Sequence, residues 1–397
     1  MNDNVVPFSS ENTDGPAILT ENPPPASSGC GFKISRAKLA EILATIKWSV
    51  PAKATIPVLS NVLISFADGR LALSGTNIDA HSIIETDVVS RSGGSVTVDA
   101  RTFSQIVAKL SGEDITVDVR GTSIVVSDGQ NETRLDGIPA SEFVPVPSAE
   151  YVSEFVMSGG QLKVAMSAAI PFASHDHTRY ILNSVYMDFA KKALVATDGR
   201  RLVVVDAPAL SVASTSGVIL PIQAAETLAG TLPEAAMVSV ALAKSGRYVK
   251  FNVAMGTTVY TYISKLVDGN YPNYTQVIPR ESPRFSCRVK RQEIGSMLER
   301  LLVICNGDKP CVKFNFTLTE VQASAIRSGV GAGDESVLID GEGTEDGVKV
   351  AINPLFILQA AAAWVDDRIE IRLKDDVSPV TLHGEGKLAV VMPVCLE

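Results

Sequence analysis

One amphipathic stripe occurs three times in this chain, and its spacing restricts the available folds more than any other feature. Leu39, Ile42, Leu43 and Ile46 stand at i, i+3, i+4 and i+7, which places four apolar side chains on one helix face. The spacing returns at Leu162, Ala165, Met166, Ala169 and at Ile294, Met297, Leu298, Leu301, offsets of 123 and 132 residues. A second stripe, Phe103, Ile106, Val107, Leu110, recurs at Ala225, Leu228, Ala229, Leu232 and at Ile357, Ala360, Ala361, Trp364, offsets of 122 and 132. Directly after each second stripe comes a run of alternating apolar residues, at 115–119, 238–242 and 369–373. One amphipathic helix recurs easily by chance, but three elements keeping step do not. The chain is therefore predicted to hold three tandem copies of one unit, each of about 120–130 residues.

Alternating runs at 61–66, 185–189 and 312–316 lie between the paired stripes. Each copy thus reads as an α+β layer, two helices on an antiparallel sheet. The expected domains are 32–149, 150–280 and 281–397, parted near Pro145 and Pro147 and near Pro279 and Pro283, where proline interrupts pairing. Residues 1–31 hold Pro23-Pro24-Pro25, carry no apolar period, and read as a disordered tail.

The net charge of −9 argues against a protein that grips nucleic acid by bulk electrostatics. Asp3, Glu11, Asp14 and Glu21 fall in the tail with no Lys or Arg, leaving −5 for the rest. No apolar run approaches the ~20 residues that span a bilayer. The N-terminus lacks a secretory signal, so a cytoplasmic location is expected. Cys30, Cys287, Cys305, Cys311 and Cys395 show no CxxC spacing and are expected as reduced thiols.

A catalytic reading finds little support. The chain has no GxxxxGK[ST], HExxH or GxSxG pattern. Gly329-Val-Gly331-Ala-Gly333 reads as a loop, and His175-Asp176-His177 lacks a third ligand for a metal. No catalytic residue, metal or cofactor is expected, and His81 and His383 are read as structural. Basic residues are more suggestive: Arg36, Lys38, Lys163, Lys290, Arg291 and Arg300 fall on equivalent first helices, with Arg101 and Lys109 around one second helix. They predict a shared, patchy positive surface.

Thr197-Asp-Gly-Arg-Arg-Leu202 joins two β-branched runs through Asp-Gly, a hairpin signal. This stretch resembles the T-D-G-H-R-L hairpin of the bacterial sliding clamps, the β subunits of DNA polymerase III. Ser264-Lys-Leu-Val-Asp-Gly-Asn-Tyr-Pro-Asn-Tyr274 is similar to that family's S-K-L-V-D-G-x-F-P-D-Y segment, Ile56-Pro-Val-Leu-Ser-Asn61 to its L-P-I-L-x-N, and Val391-Met-Pro-Val394 to its terminus. The resemblance implies a non-catalytic processivity factor, a homodimer whose six units close into a ring around double-stranded DNA without reading its sequence. It implies a peptide-binding cleft serving the polymerase III α subunit, the clamp loader and repair polymerases. Leu182, Thr197, Gly199, Arg201 and Leu202 would form one wall. Pro272, Val277, Val390, Val391, Met392 and Pro393 would form the remainder. Lys53, Arg101, Arg179 and Tyr180 are the implied DNA contacts. Arg200 in place of the hairpin His, Thr275-Gln276 in place of a common Arg pair, and Cys395 in place of a common Arg depart from the pattern and bear on peptide preference.

Overall fold

The structure, a computed structural model, describes residues 29–51, 53–210, 217–307 and 309–394. Residues 1–28 of the expected tail, and Cys395, lie outside the described residues. Cys30 and Gly31, also assigned to that tail, belong to the strand Cys30–Ser35, where Cys30 pairs with Val119.

Six helices carry the two stripes: α1 (Arg36–Ile46), α2 (Ala100–Lys109), α3 (Gly159–Ala169), α4 (Ile222–Thr231), α5 (Arg291–Cys305) and α6 (Pro354–Ala363). They pack in pairs, α1 on α2, α3 on α4 and α5 on α6. The stripe residues face inward: Leu39, Ile42, Leu43 and Ile46 are buried, as are their counterparts in α3 and α5. In each copy a strand runs straight into the first helix, and in the first two copies a side-chain cap helps it turn. Ser35 accepts from the Lys38 amide and Ser158 from that of Gln161, while Asp99 does the same for Thr102 in α2.

One backbone contact repeats in all three copies. The first residue of the first helix donates its amide to the carbonyl just before the strand that follows the second helix: Arg36 to Glu113 at 2.8 Å, Gly159 to Ala236 at 2.8 Å and Arg291 to Asp367 at 2.9 Å. It ties both helices of a copy to the same sheet. This is the repeat seen in the sequence, now as geometry.

The chain forms two compact units. The first runs to Glu150 and takes in Lys250–Ser264; the second comprises Tyr151–Val249 and Lys265 onward. In the first unit, helices α1 and α2 cover a core of Phe32, Phe66, Phe103 and aliphatic partners from the strands. Ala80–Asp87 pairs there with Thr258–Lys265, Ile84 opposite Tyr260.

The second unit holds a nine-stranded sheet that runs through two copies. Val218–Pro221, Ser184–Asp188, Ala193–Thr197 and Arg201–Asp206 come from the second copy. Lys387–Val391, Val380–Gly384, Arg368–Leu373, Phe285–Lys290 and Asp340–Gly343 continue it from the third. A separate four-stranded sheet orders Gly331–Leu338, Glu320–Arg327, Val312–Phe316 and Val348–Ile352.

The glycine run expected as a loop is half strand. Residues 328–330 turn, but Gly331 and Gly333 open the strand Gly331–Leu338. α5 packs closely over Gly333, where a Cβ would lie 2.6 Å from Ile304 Cδ1 and would displace the end of that side chain. Low β-propensity in the sequence hid a position where a helix packs on bare backbone.

His81 lies buried in Ala80–Asp87, and burial lowers its pKa to about 4. The folded chain therefore keeps the imidazole neutral while the unfolded chain takes up a proton below about 6.5, so stability declines as pH falls from 6.5 toward 4. We expect this one group to cost about 3 kcal/mol over that window. Urea midpoints measured from pH 7 to pH 4.5 should fall less steeply for His81→Gln than for the parent; equal slopes would contradict the assignment.

Candidate functional site

Arg201–Asp206 and Lys387–Val391 are neighbours in the nine-stranded sheet, antiparallel, with Arg201 opposite Val391 and Leu202 opposite Val390. The pairing continues through the Met392 amide, which donates to the Arg200 carbonyl at 2.9 Å. Two segments about 190 residues apart are thus adjacent strands, and the surface over their seam is shared by the second and third copies.

The hairpin expected at Thr197–Leu202 is present, Thr197 pairing with Leu202. Its connection is longer than a two-residue Asp-Gly turn. Asp198 organises it: the carboxylate accepts from the amides of Arg200 at 2.8 Å and Arg201 at 3.0 Å. Gly199 then adopts φ 86°, a conformation glycine reaches without strain.

Strand alternation divides the predicted cleft residues between two faces. Leu202 and Val390 join Ala193, Val195 and Tyr274 in one apolar cluster, flanked by Tyr186, Val204, Tyr271, Ile278 and Leu388. Thr197 is half-buried and Met392 exposed, at the register positions that continue this face. Pro272 and Val277 are exposed on either side of Tyr274, Pro393 is half-buried, and Gly199 is exposed at the hairpin tip. Leu182 is half-buried in the turn below α3, its amide on the Arg179 carbonyl.

Arg201 and Val391, also predicted for the wall, lie differently from Leu202 and Val390. Both are buried, and as a directly opposed pair they occupy the other face. Arg201 is 6% exposed. Its Nε donates to Asp198 Oδ2 at 3.0 Å, Nη2 to the Pro171 carbonyl at 2.6 Å, and Nη1 to Gln359. The guanidinium lies 5.2 Å from the Phe172 ring and 4.6 Å from the Phe356 ring. Burial works against its charge, and the Asp198 carboxylate counters that. Arg201 therefore links the second copy to α6 of the third through these contacts.

Tyr186, Tyr271 and Tyr274 were not singled out from the sequence, though Tyr271 and Tyr274 bound the Pro272 motif. Tyr186 and Tyr271 stack at 4.8 Å with rings 5° apart. The buried Tyr274 hydroxyl donates to Asp188 Oδ2 at 2.9 Å, and burial followed by that bond raises its pKa. A recess of about 380 Å³ beside this cluster is lined by Ala193, Val204, Tyr274 and Ile278, with Lys191, Asp206 and Arg280 around it.

The predicted DNA contacts divide between the units. Lys53 and Arg101 are exposed in the first. Arg179 and Tyr180 are exposed in the second, where Arg179 Nη1 reaches the Asp198 carbonyl at 3.3 Å and its Nε lies 3.7 Å from Asp176. His175, Asp176 and His177 sit in the same exposed turn, and Asp176 caps it through Thr178. Among the described residues no group of three or more His, Cys, Asp or Glu is placed to hold a metal.

The positive surface is sparser than the sequence indicates. Arg36 and Arg291 spend their guanidinium groups on carbonyls, of Gly112 at 3.1 Å and of Asp366 and Ala361 at 2.8 and 2.9 Å. Lys38 pairs with Glu41, Lys163 with Glu234, Lys290 with Glu293 and Arg300 with Glu335. Tyr260 adds a 2.5 Å hydrogen bond to Glu41. Lys53, Arg101 and Lys109 are exposed and make no ion pair among the described residues.

Removing the Arg201 side chain would strand Asp198 and open a void between Phe172 and Phe356. We expect Arg201→Ala to cost about 3 kcal/mol or more. Arg201→Lys should recover only part, because an ammonium cannot reproduce the three-way fork. Denaturant unfolding of the three proteins checks both, and full recovery by lysine would refute the clamp.

Three sequence families match in order: the N-terminal domain of the DNA polymerase III beta subunit over residues 30–147, its central domain over 159–273 and its C-terminal domain over 275–394. The beta sliding clamp of Caulobacter vibrioides is 29% identical over 377 residues, covering 91% of this chain and 98% of the relative. That of Chlamydia muridarum is 26% identical over 371 residues, covering 92% and 99%. The crystal structure of the sliding clamp from Bartonella birtlesii bound to griselimycin matches at TM-score 0.83 and 27% identity, covering 92% of this chain and 100% of that one. The Pseudomonas aeruginosa β subunit shares the fold at TM-score 0.83 and 24% identity, with the same coverage. With three ordered domain matches across nearly the whole described chain, this protein belongs to the DNA polymerase III beta subunit family, the bacterial sliding clamps.

Proposed function

We propose that this chain is a non-catalytic processivity factor that dimerises into a ring around double-stranded DNA and tethers its partners through the groove over the Leu202–Val390 seam. The carrying observation is that seam. It sets an apolar floor of Leu202 and Val390 between exposed Pro272, Val277 and Met392, a surface suited to Leu or Phe anchors of a short linear peptide. The polymerase III α subunit, the clamp loader and repair polymerases are the partners the family relation supports, in the cytoplasm. Among the described residues no helix is long and apolar enough to cross a membrane.

Ring closure is supported by free sheet edges. Gly331–Leu338 ends the four-stranded sheet, with Leu338 77% exposed. In the first unit, Glu132–Ile138 pairs on one side along its length but on the other only at Gly137 and Ile138. Each edge offers unpaired backbone that a second copy can cover, which also removes an aggregation hazard. A closed ring retains duplex by enclosure, so the few unpaired cations and a net charge of −9 suffice for a sliding contact.

The expected behaviour is a dimer in sedimentation that stays on loaded circular DNA in high salt and escapes once that DNA is linearised. Equal loss from both forms would defeat the ring. For the groove, Met392→Ala should weaken a Leu/Phe-containing polymerase-tail peptide about tenfold, the loss of one well-placed contact, with thermal stability unchanged. Undiminished peptide affinity would move the site elsewhere.

A further inference from the structure

In the first unit, the segment that carries the implied DNA contact Lys53 also carries an exposed Trp48, which neither enclosure of duplex nor the peptide groove uses. Trp48 is 56% exposed on the single helical turn Lys47–Ser49 that follows α1. The turn is well anchored. Ser49 is buried and donates to the Ile46 carbonyl at 3.0 Å, and Val50 packs so closely on Gly75 that a Cβ there would lie 2.8 Å from Val50 Cγ2. The backbone that carries the exposed indole is thus tied to its neighbours.

Two more large apolar side chains are half exposed at this end of the sheet, Ile56 at 49% and Ile78 at 51%. Each flanks one of two paired strands. Leu63 opposite Ser74 sets the start of Asn61–Ala67, just after Ile56, beside the end of Arg70–Thr76, just before Ile78. Ile78 holds φ 81°, a conformation β-branched residues rarely adopt, kept by its amide on Thr76 Oγ1 at 3.0 Å and the Ala80 amide on Asn77 Oδ1 at 2.8 Å. Strain of this kind persists where the surroundings over-determine a residue, and it concentrates at binding sites. From 46 to 57 the chain carries Lys47 and Lys53 and no acidic residue, in a protein of net charge −9; Asp79 is the carboxylate of the neighbouring turn.

We propose that Trp48, with Lys47 and Lys53, is a stacking platform for single-stranded DNA. An exposed indole offers a flat π face, and flanking ammonium groups meet phosphates, the combination that binds single strands without regard to sequence. Within a duplex each base face is covered by its neighbours. In a single strand those faces are open, so the platform selects unpaired template over encircled duplex. It adds a contact that enclosure does not require.

The chain has two tryptophans. Trp364 is 1% exposed and serves as an internal reference, so fluorescence reports on Trp48. Titration with an oligo-dT strand should quench the emission to a plateau, with affinity falling as salt rises. By anisotropy of a labelled oligo-dT, Trp48→Ala should bind about fivefold or more weaker, the lower end of what one stacked base contributes. Trp48→Tyr should restore most of it, and Lys47→Gln with Lys53→Gln should weaken binding without altering peptide affinity. Unchanged emission at saturating oligonucleotide, or equal affinity in Trp48→Ala, overturns the platform. Retention on circular duplex is scored on the same proteins: retained rings with a silent Trp48 would sink this inference while leaving the clamp reading intact.

Discussion

The pairing of Arg201–Asp206 with Lys387–Val391 is the constraint on which the second unit depends. It makes one sheet out of strands from two copies, so the copies cannot move independently there without breaking a backbone ladder. Arg201 reinforces the junction from the helix side, where an unpaired guanidinium would be costly to bury. Its bonds to Asp198, Pro171 and Gln359 and its two aromatic neighbours answer that cost within one cavity. The surface above the seam rests on a layer tied to both copies. A recognition site built on strands keeps its anchor positions better than one built on loops.

Charge follows a related logic. The helices carry many basic residues, yet most of them are neutralised locally by a carboxylate or consumed by a carbonyl at the end of a neighbouring helix. Surface pairs of this sort add little stability. Their effect is on the field: they reduce the long-range pull toward phosphate that a run of free cations would exert. A protein that must travel along DNA gains from weak, non-specific contact, since strong contact would slow it.

Much of this was readable beforehand, for definite reasons. The helix stripes and the strands after them follow from apolar periodicity, which depends only on local geometry, and every first-helix stripe residue is buried. The Asp198-Gly199 turn was legible because few residues tolerate its backbone angles. The glycine run at 329–333 reads as a loop because its strand character comes from pairing with Glu320–Arg327, which no local pattern records. That Arg201 and Val391 face away from Leu202 and Val390 is not legible in the motif, which reports adjacency along the chain, whereas facing is set by register.

By itself, then, the chain determined a threefold α+β repeat, the positions of its six helices and the family to which its motifs belong, since each of these rests on spacing between near neighbours. Tertiary structure alone decided that Leu202 lies against Val390, that Tyr271 and Tyr274 flank the floor, and that Arg201 is a buried clamp. It also decided which lysines are free and which are paired, and that Trp48 faces solvent while Trp364 does not. These depend on contacts between residues far apart in sequence, and no local pattern records which of two strand faces, or which of two indoles, the fold will bury.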